Sequence, residues 1–215
     1  MEQLLTLYAL LVDPEYPVIC LDERPCFLIG ETVDPLAMQT GKVRKEHYAY
    51  EKHGSGTLFA AIEPLTGWRV AQVHRRRTKQ EYTHFCPAIA AEFPAAVKIR
   101  VIQDNLNTHA VSAFYENLPA DAARALAARF EFYYTPQSAS WLNMIEIEFS
   151  VLARQCLHRR IPTQTQLERE VLAIIADRKA KQAKITWQFS VQAARSKLNS
   201  HYVKVNPDNA KFKKT

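Results

Sequence analysis

Residues 99–109 read Ile-Arg-Val-Ile-Gln-Asp-Asn-Leu-Asn-Thr-His, and this stretch constrains the fold more than any other in the chain. It begins as a short apolar run and turns polar abruptly at Gln103 and Asp104. This pattern predicts a buried strand that delivers an acid to one end of a sheet. A carboxylate at such an end can face a cleft while the strand behind it holds it rigid.

Two other segments present an acid in a similar way. Residues 18–22 form an apolar strand that ends in Asp22, and residues 141–149 form a helical apolar stripe that contains Glu146. Three carboxylates from three separate segments suggest a metal site for phosphoryl transfer. Three oxygen ligands suit Mg²⁺, and two such ions about 4 Å apart would activate the attacking oxygen and stabilise the leaving one. The alternative is that these acids are helix caps or solvated surface charges.

The order of elements predicts an α/β fold with a mixed five-stranded sheet. The order is β-β-β-α-β-α-β-α, followed by extra C-terminal helices, which gives a mixed sheet and not a doubly wound one. A right-handed crossover would place the first and fourth strands side by side and parallel, so that Asp22 and Asp104 emerge at the same end. The predicted strands cover residues 16–22, 57–63, 68–74, 98–104 and 130–134.

The sequence pattern predicts three parts of the chain. Residues 1–15 are expected to be an N-terminal connector helix, residues 16–205 the catalytic domain, and residues 206–215 a basic flexible tail. The predicted helix over 141–158 carries two candidate glutamates. At 100° per residue Glu146 falls at the edge of the apolar arc and Glu148 toward the opposite flank, so Glu146 is favoured and Glu148→Gln is expected to be tolerated.

Several polar residues surround these acids. Glu23 and Glu63 are fallback acids, although Glu23 points to the other face of its strand from Asp22. His109, Asn105 and Asn143 are candidates for orienting a ligand or the substrate, but His109 is equally read as a loop residue and Asn105 as a turn former. Basic residues in the 31–55 loop and after the third strand are read either as solvated charges or as contacts to a phosphate backbone; they are Lys42, Arg44, Lys45, Lys52, Arg75, Arg76 and Arg77.

Composition excludes some classes of protein. The formal net charge of +6 weakly favours a polyanionic partner. Neither a Gly-rich phosphate loop nor a G-x-S-x-G turn occurs, which argues against a P-loop ATPase, a dinucleotide site and a serine hydrolase. The four cysteines have no zinc-site spacing and suit a reducing compartment. No apolar run is long enough for a membrane span and no signal peptide is recognised, so a cytoplasmic protein is expected.

Three motifs resemble those of a known family. Residues 104–109, Asp-Asn-x-x-x-His, resemble the second-aspartate motif of DDE transposases of the mariner superfamily. Residues 140–146, Ser-Trp-Leu-Asn-Met-Ile-Glu, resemble the final-acid motif, and residues 18–23 resemble the strand that bears the first aspartate. The bacterial insertion-sequence branch has similar strings, here Leu-Thr-Gly at 65–67, Asp-Asn-Leu-Asn-Thr-His at 104–109 and Ser-Val-Leu-Ala-Arg-Gln-Cys-Leu at 150–157.

The resemblance implies an RNase H-like fold and a DDE-type endonuclease that cuts and joins DNA at insertion-sequence ends. Hydrolysis of a phosphodiester frees a 3′-hydroxyl, which then attacks target DNA. The matching residues Asp22, Asp104 and Glu146 would be the catalytic acids and would ligate Mg²⁺ or Mn²⁺, as two ions. The implied partners are double-stranded DNA, both transposon ends and target, and a second copy in a homodimer or synaptic complex, with no membrane involved.

One departure from the family pattern leaves an alternative open. Family members carry helix-turn-helix DNA-recognition domains before the catalytic domain, and this chain begins almost at the first catalytic strand. We therefore expect that domain to be missing. The alternative function is an inactive or regulatory truncated transposase that binds DNA or a full-length partner without catalysis. A different RNase H-like nuclease, such as a junction resolvase, is disfavoured by the 104–109 and 140–146 motifs.

Overall fold

A five-stranded mixed sheet forms the centre of the protein. The computed structural model describes residues 1–43, 45 and 47–212. The strand order is β3-β2-β1-β4-β5; β1 is antiparallel to β2 and parallel to β4, and β5 is parallel to β4. The predicted mixed sheet is confirmed. The strands are β1 (Val18–Glu31), β2 (Tyr50–Glu63), β3 (Trp68–His74), β4 (Ile99–Gln103) and β5 (Phe130–Tyr134).

Helices cover both faces of this sheet. They are α1 (Glu2–Tyr8), α2 (Lys79–Glu92), α3 (Ser112–Asn117), α4 (Ala120–Arg129), α5 (Ile145–Gln155), α6 (Gln164–Ala180), α7 (Val191–Lys197) and α8 (Asn199–Val205). Three short 3₁₀ turns cover Asn107–His109, Ser140–Leu142 and Pro207–Phe212. Among the described residues, no helix combines the length and the apolar character that crossing a membrane requires.

The alternation of side chains along the strands creates two cores. The first core packs even-numbered residues of β1, such as Cys20, together with Ile102 of β4 against α1, α5 and α6. The second core packs odd-numbered residues of β1, such as Leu21, together with Val101 of β4 against α2, α3 and α4. Because successive residues of a strand point to opposite faces, even-numbered residues of β1 and β4 face the first core and odd-numbered ones the second.

The first two strands are longer than predicted. The prediction ended β1 at Asp22 because Glu23, Arg24 and Pro25 follow, but the strand runs on to Glu31. It continues because Cys26 and Leu28 keep the alternation and remain buried against the first core. Asp22 therefore lies inside β1 and not at its end, at the point where the pairing of β1 with β4 stops.

The two helices around the first core also differ from the prediction. The helix predicted over 141–158 is shorter: Ser140–Leu142 form a 3₁₀ turn and α5 spans Ile145–Gln155. Helix α1 packs into the first core through Leu4 and Leu5, each 2% exposed. The N-terminal segment predicted as a connector is thus part of the packed domain. Of the predicted tail, residues 207–212 form a turn, and residues 213–215 lie outside the described residues.

Candidate active site

Asp22 and Asp104 lie next to each other at one edge of the β1–β4 pair. The parallel register pairs Cys20 with Ile102, so Asp22 is level with Asp104, which follows β4 by one residue. Neighbouring strands are about 4.8 Å apart. Both aspartates have the parity of the first core, so they leave the sheet on the face that α5 covers. The two predicted aspartates are therefore brought together.

The charge of Asp104 is close enough to affect the pKa of Asp22. Burial raises the pKa of the Asp22 carboxyl to about 7; the backbone N–H of Glu23, 2.8 Å from Oδ1, opposes this rise and the charge of Asp104 adds to it. Burial also acts to raise the pKa of Asp104, but the hydrogen bond and charge of His109 outweigh it, so this pKa lies below its usual value. Of the two carboxyl groups, only Asp22 therefore has a raised pKa, and a cation near it would favour its ionised form.

Glu146 lies in the first turn of the helix that covers this face. The segment before the helix is fixed to β1: the Asn143 side-chain amide donates to the carbonyl of Leu21 at 2.8 Å. The Tyr8 hydroxyl donates to the carbonyl of Leu142 at 2.6 Å. These two buried bonds anchor the start of α5 beside Asp22. Asn143 is itself 1% exposed, so it holds the backbone and does not face a substrate.

The two glutamates of α5 have different surroundings. Glu146 is partly exposed, whereas Glu148 is fully buried. Arg178 of α6 donates to both carboxylate oxygens of Glu148, at 2.8 and 2.9 Å, and Arg69 of β3 lies 3.3 Å away. Glu148 is thus engaged by two arginines within the fold. Within the part of the chain that the structure describes, no three potential ligand side chains lie close enough to enclose a metal ion.

His109 joins the site to an acid on the other face of the sheet. Its Nδ1 lies 2.5 Å from Asp104 Oδ1 and its Nε2 lies 2.7 Å from Glu23 Oε1. Burial alone would lower the pKa of His109, but the hydrogen bonds to Asp104 and Glu23 raise it to about 10. Both ring nitrogens can then donate to a carboxylate. The sequence pattern gave Glu23 only a fallback role as an acid, and its contact with His109 depends on a pairing across 86 positions.

A cleft of about 650 Å³ opens beside Asp104. Asp104, Asn105 and Leu106 form one wall, and residues 134–140, between β5 and the Ser140–Leu142 turn, form the other. Asn105 is the predicted orienting residue that faces this space. The cleft is lined mostly by uncharged residues, and Asp104 is the charged residue among them.

The predicted basic residues divide into two groups. Arg77 is exposed and close enough to Asp104 for its charge to lower the pKa of that acid, and Arg75 and Arg76 precede it. Lys52 pairs with Ile29, which is seven residues along β1 from Asp22, or roughly 23 Å. Lys42 and Lys45 lie beyond the end of this hairpin, in isolated bridges to Gln39 and Leu36. Arg44 lies outside the described residues.

A family model described as DDE superfamily endonuclease matches residues 17–168. No curated protein matches the chain in a sequence comparison. Two solved structures share its fold: the Mos1 mariner paired-end complex with Mn, with a TM-score of 0.53 at 14% identity, and the Mos1 strand transfer complex, with a TM-score of 0.51 at 11% identity.

The coverage of these structures is unequal. The match covers 97% of this chain and 60% of the chain in the paired-end complex, and 85% and 59% for the strand transfer complex. The chain thus spans about three fifths of the length of these neighbours. At these identities the likeness is one of fold, and it confirms the predicted RNase H-like arrangement of sheet and flanking helices.

Proposed function

The chain belongs to the DDE superfamily endonuclease family, and on this basis we propose that it is a transposase catalytic domain that cuts and joins DNA with the help of divalent metal ions. The observation that carries the proposal is the placement of Asp22, in β1, level with Asp104, which directly follows the neighbouring parallel strand β4, on the face covered by the helix of Glu146. Two fold neighbours are Mos1 complexes, described as a paired-end complex and a strand transfer complex. We propose that this chain forms similar assemblies on transposon ends and target DNA.

The donor set fits magnesium or manganese. Asp22, Asp104 and Glu146 offer carboxylate oxygens, which are the ligands that these hard cations prefer, and burial together with the charge of Asp104 penalises the ionised form of Asp22. Two bound ions would supply positive charge at the attacking and leaving oxygens of a phosphodiester. Glu146 would be the third ligand, from the first turn of α5.

The chain's own residues have separate roles in this proposal. Asp22 and Asp104 would neutralise the charge of the cations; Asp22 lies in β1, and Asp104 directly follows β4. His109 holds one oxygen of Asp104, and Asn143 holds the start of α5 against β1. Asn105, which lines the cleft, and Arg77, whose charge acts on Asp104, are the proposed contacts to a phosphate backbone. We also propose that recognition of specific transposon ends needs a DNA-reading domain outside this chain. The cytoplasmic location of the protein stays a prediction.

The direct test of activity is nicking of supercoiled plasmid with Mg²⁺ or Mn²⁺. The wild-type chain and Asp121→Asn, which changes an exposed aspartate on α4, are expected to nick it. Asp104→Asn is expected to be inactive and folded, because it keeps the volume and removes the charge. Nicking by Asp104→Asn at the wild-type rate would overturn the site. No nicking by folded wild-type protein would favour the alternative of a non-catalytic, DNA- or partner-binding remnant.

A further inference from the structure

Glu23 is a buried acid on the opposite face of the sheet from the candidate site. Glu23 follows Asp22 in β1, but alternation turns it to the opposite face of the sheet, where it is 6% exposed. From there it cannot contact a substrate in the cleft beside Asp104. The Oε2 atom of Glu23 is buried and has no hydrogen-bond partner among the described residues. Within these residues, the carboxylate of Glu23 is therefore hydrogen-bonded only through Oε1, to His109.

The imidazole of His109 is held in one orientation. It is fully buried, and its ring lies 5.0 Å from the ring of Tyr82 at an interplanar angle of 35°. The side-chain amide of Gln103 donates to the carbonyl of His109 at 2.9 Å, and the Tyr82 hydroxyl donates to Gln103 Oε1 at 2.9 Å. Rotation of the ring would break contacts on both sides. A change at Glu23 is therefore transmitted to the other ring nitrogen.

That other nitrogen reaches the metal-ligand candidate. His109 Nδ1 lies 2.5 Å from Asp104 Oδ1, and the backbone N–H of Leu106 also donates to this oxygen, at 3.3 Å. Both contacts hold the same carboxylate oxygen. Resting on the proposed function, we propose that Glu23 is a positioning residue that acts through His109 to fix the Asp104 carboxylate for binding a divalent cation.

A purely structural role for Glu23 makes a different prediction. In that case its loss would lower stability without changing the affinity of the folded protein for metal. In a metal site, loss of an outer partner that orients a ligand typically costs 10–100-fold in metal affinity or activity. The affinity of the folded protein for Mn²⁺ therefore separates the two roles, and it can be measured without DNA.

The experiment compares Glu23→Gln with Glu63→Gln by titrating the full chain with Mn²⁺ and following free Mn²⁺ by electron paramagnetic resonance. Glu63 is a matched control, because it is also 6% exposed in the same sheet, and its partner is the Thr66 hydroxyl. We expect the Mn²⁺ dissociation constant to rise 10–100-fold in Glu23→Gln and to stay unchanged in Glu63→Gln. Folded Glu23→Gln with wild-type affinity would overturn the proposal.

Two further measurements keep the outcome decisive. If Glu23→Gln does not fold, His109→Gln cuts the same link from its other side and is expected to show the same rise; wild-type affinity there would also overturn the proposal. Nitrogen-15 spectra of the imidazole test the link alone, since the resonance of Nδ1, which contacts Asp104, should shift in Glu23→Gln and stay unchanged in Glu63→Gln. A further outcome is that the spectra show the contact from Glu23 through His109 to Asp104 while the wild-type protein binds no Mn²⁺. That result would contradict the proposed metal site but not the contact.

Discussion

The carboxylate of Glu148 lies 3.3 Å from Nε of Arg69, and both side chains are almost wholly excluded from water, at 0% and 1% exposure. Arg69 also donates to the carbonyls of Gly67, Arg178 and Ala183, so it connects β3 to α6 and to the segment after it. This pair therefore fixes α5 and α6 against the sheet. Glu148 thus helps to hold α5, the helix that carries Glu146, against the sheet.

Glu148→Gln is expected to destabilise the protein. Removal of one partner from a buried ion pair leaves an uncompensated charge and typically costs about 3–5 kcal/mol. The helical wheel, which predicts that nicking tolerates this change, does not predict this cost in stability. Urea unfolding of the variant measures the cost, and a change in the free energy of unfolding below about 0.5 kcal/mol would contradict it.

Glu146→Gln is expected to behave in the opposite way. Glu146 is partly exposed, and within the described residues its side chain makes neither a hydrogen bond nor an ion pair, so the fold should be affected by less than about 0.5 kcal/mol. Plasmid nicking should be lost because a metal ligand is neutralised. Glu148→Gln, assayed at a temperature where it is folded, should retain nicking. The reverse pattern would identify Glu148 as the catalytic acid.

Asn143→Ala is expected to lower both stability and turnover. The Leu21 carbonyl loses its bond from the side-chain amide, and an unsatisfied buried group costs about 1–3 kcal/mol. The start of α5 is then free to shift relative to Asp22, so kcat for nicking should fall by more than the unfolded fraction explains. Asn117→Ala removes a side-chain amide bond of the same length, 2.8 Å, to the carbonyl of Ala113 within α3, which packs in the second core. Equal kcat in the two variants would contradict the positioning role.

The stability contributed by Glu2 should depend on pH. Hydrogen bonds from Arg195 and Tyr202 lower the pKa of the Glu2 carboxyl from 4.5 to about 2, and they join α1 to α7 and α8. A depressed pKa in the folded state stabilises the protein above the unfolded value and loses that effect as the pH falls. Wild-type protein should therefore exceed Glu2→Gln in stability above pH 4.5, with the gap closing toward pH 2. A gap that widens on acidification would contradict this account.

Arg77→Ala should weaken DNA binding without changing its sequence preference. One lost phosphate contact reduces the slope of log affinity against log salt concentration by about 0.9. Arg124→Ala, on the exposed surface of α4, is the matched control and should leave the slope unchanged. Fluorescence anisotropy with duplex DNA at several salt concentrations measures both variants. Identical slopes for Arg77→Ala and wild type would exclude Arg77 from the DNA-binding surface.

The sheet and its two aspartates could be predicted because simple rules determine them. The apolar run before Asp104 has strand periodicity, and the right-handed crossover places it parallel to β1, level with Asp22. The length of β1 could not be predicted in the same way, because Glu23, Arg24 and Pro25 interrupt its apolar pattern. Only pairing with β2 shows that the alternation resumes at Cys26.

The contacts of the site's acids were not predictable for a different reason. The helical wheel of α5 describes one helix, and the burial of Glu148 comes from Arg69 and Arg178 on two other elements. The link between Glu23 and His109 joins residues 86 positions apart and depends on a 3₁₀ turn that directs the imidazole inward. Periodicity predicts which face a residue occupies, but it does not predict which partner it contacts there.

The most direct test of the proposed metal site is anomalous diffraction from crystals of this chain soaked in Mn²⁺. We predict an anomalous peak between Asp22 and Asp104, at about 2.0–2.6 Å from a carboxylate oxygen of each, and no such peak in crystals of Asp104→Asn. Peaks located only elsewhere, or an unchanged peak in Asp104→Asn, would contradict the account that these two strands deliver a shared metal site.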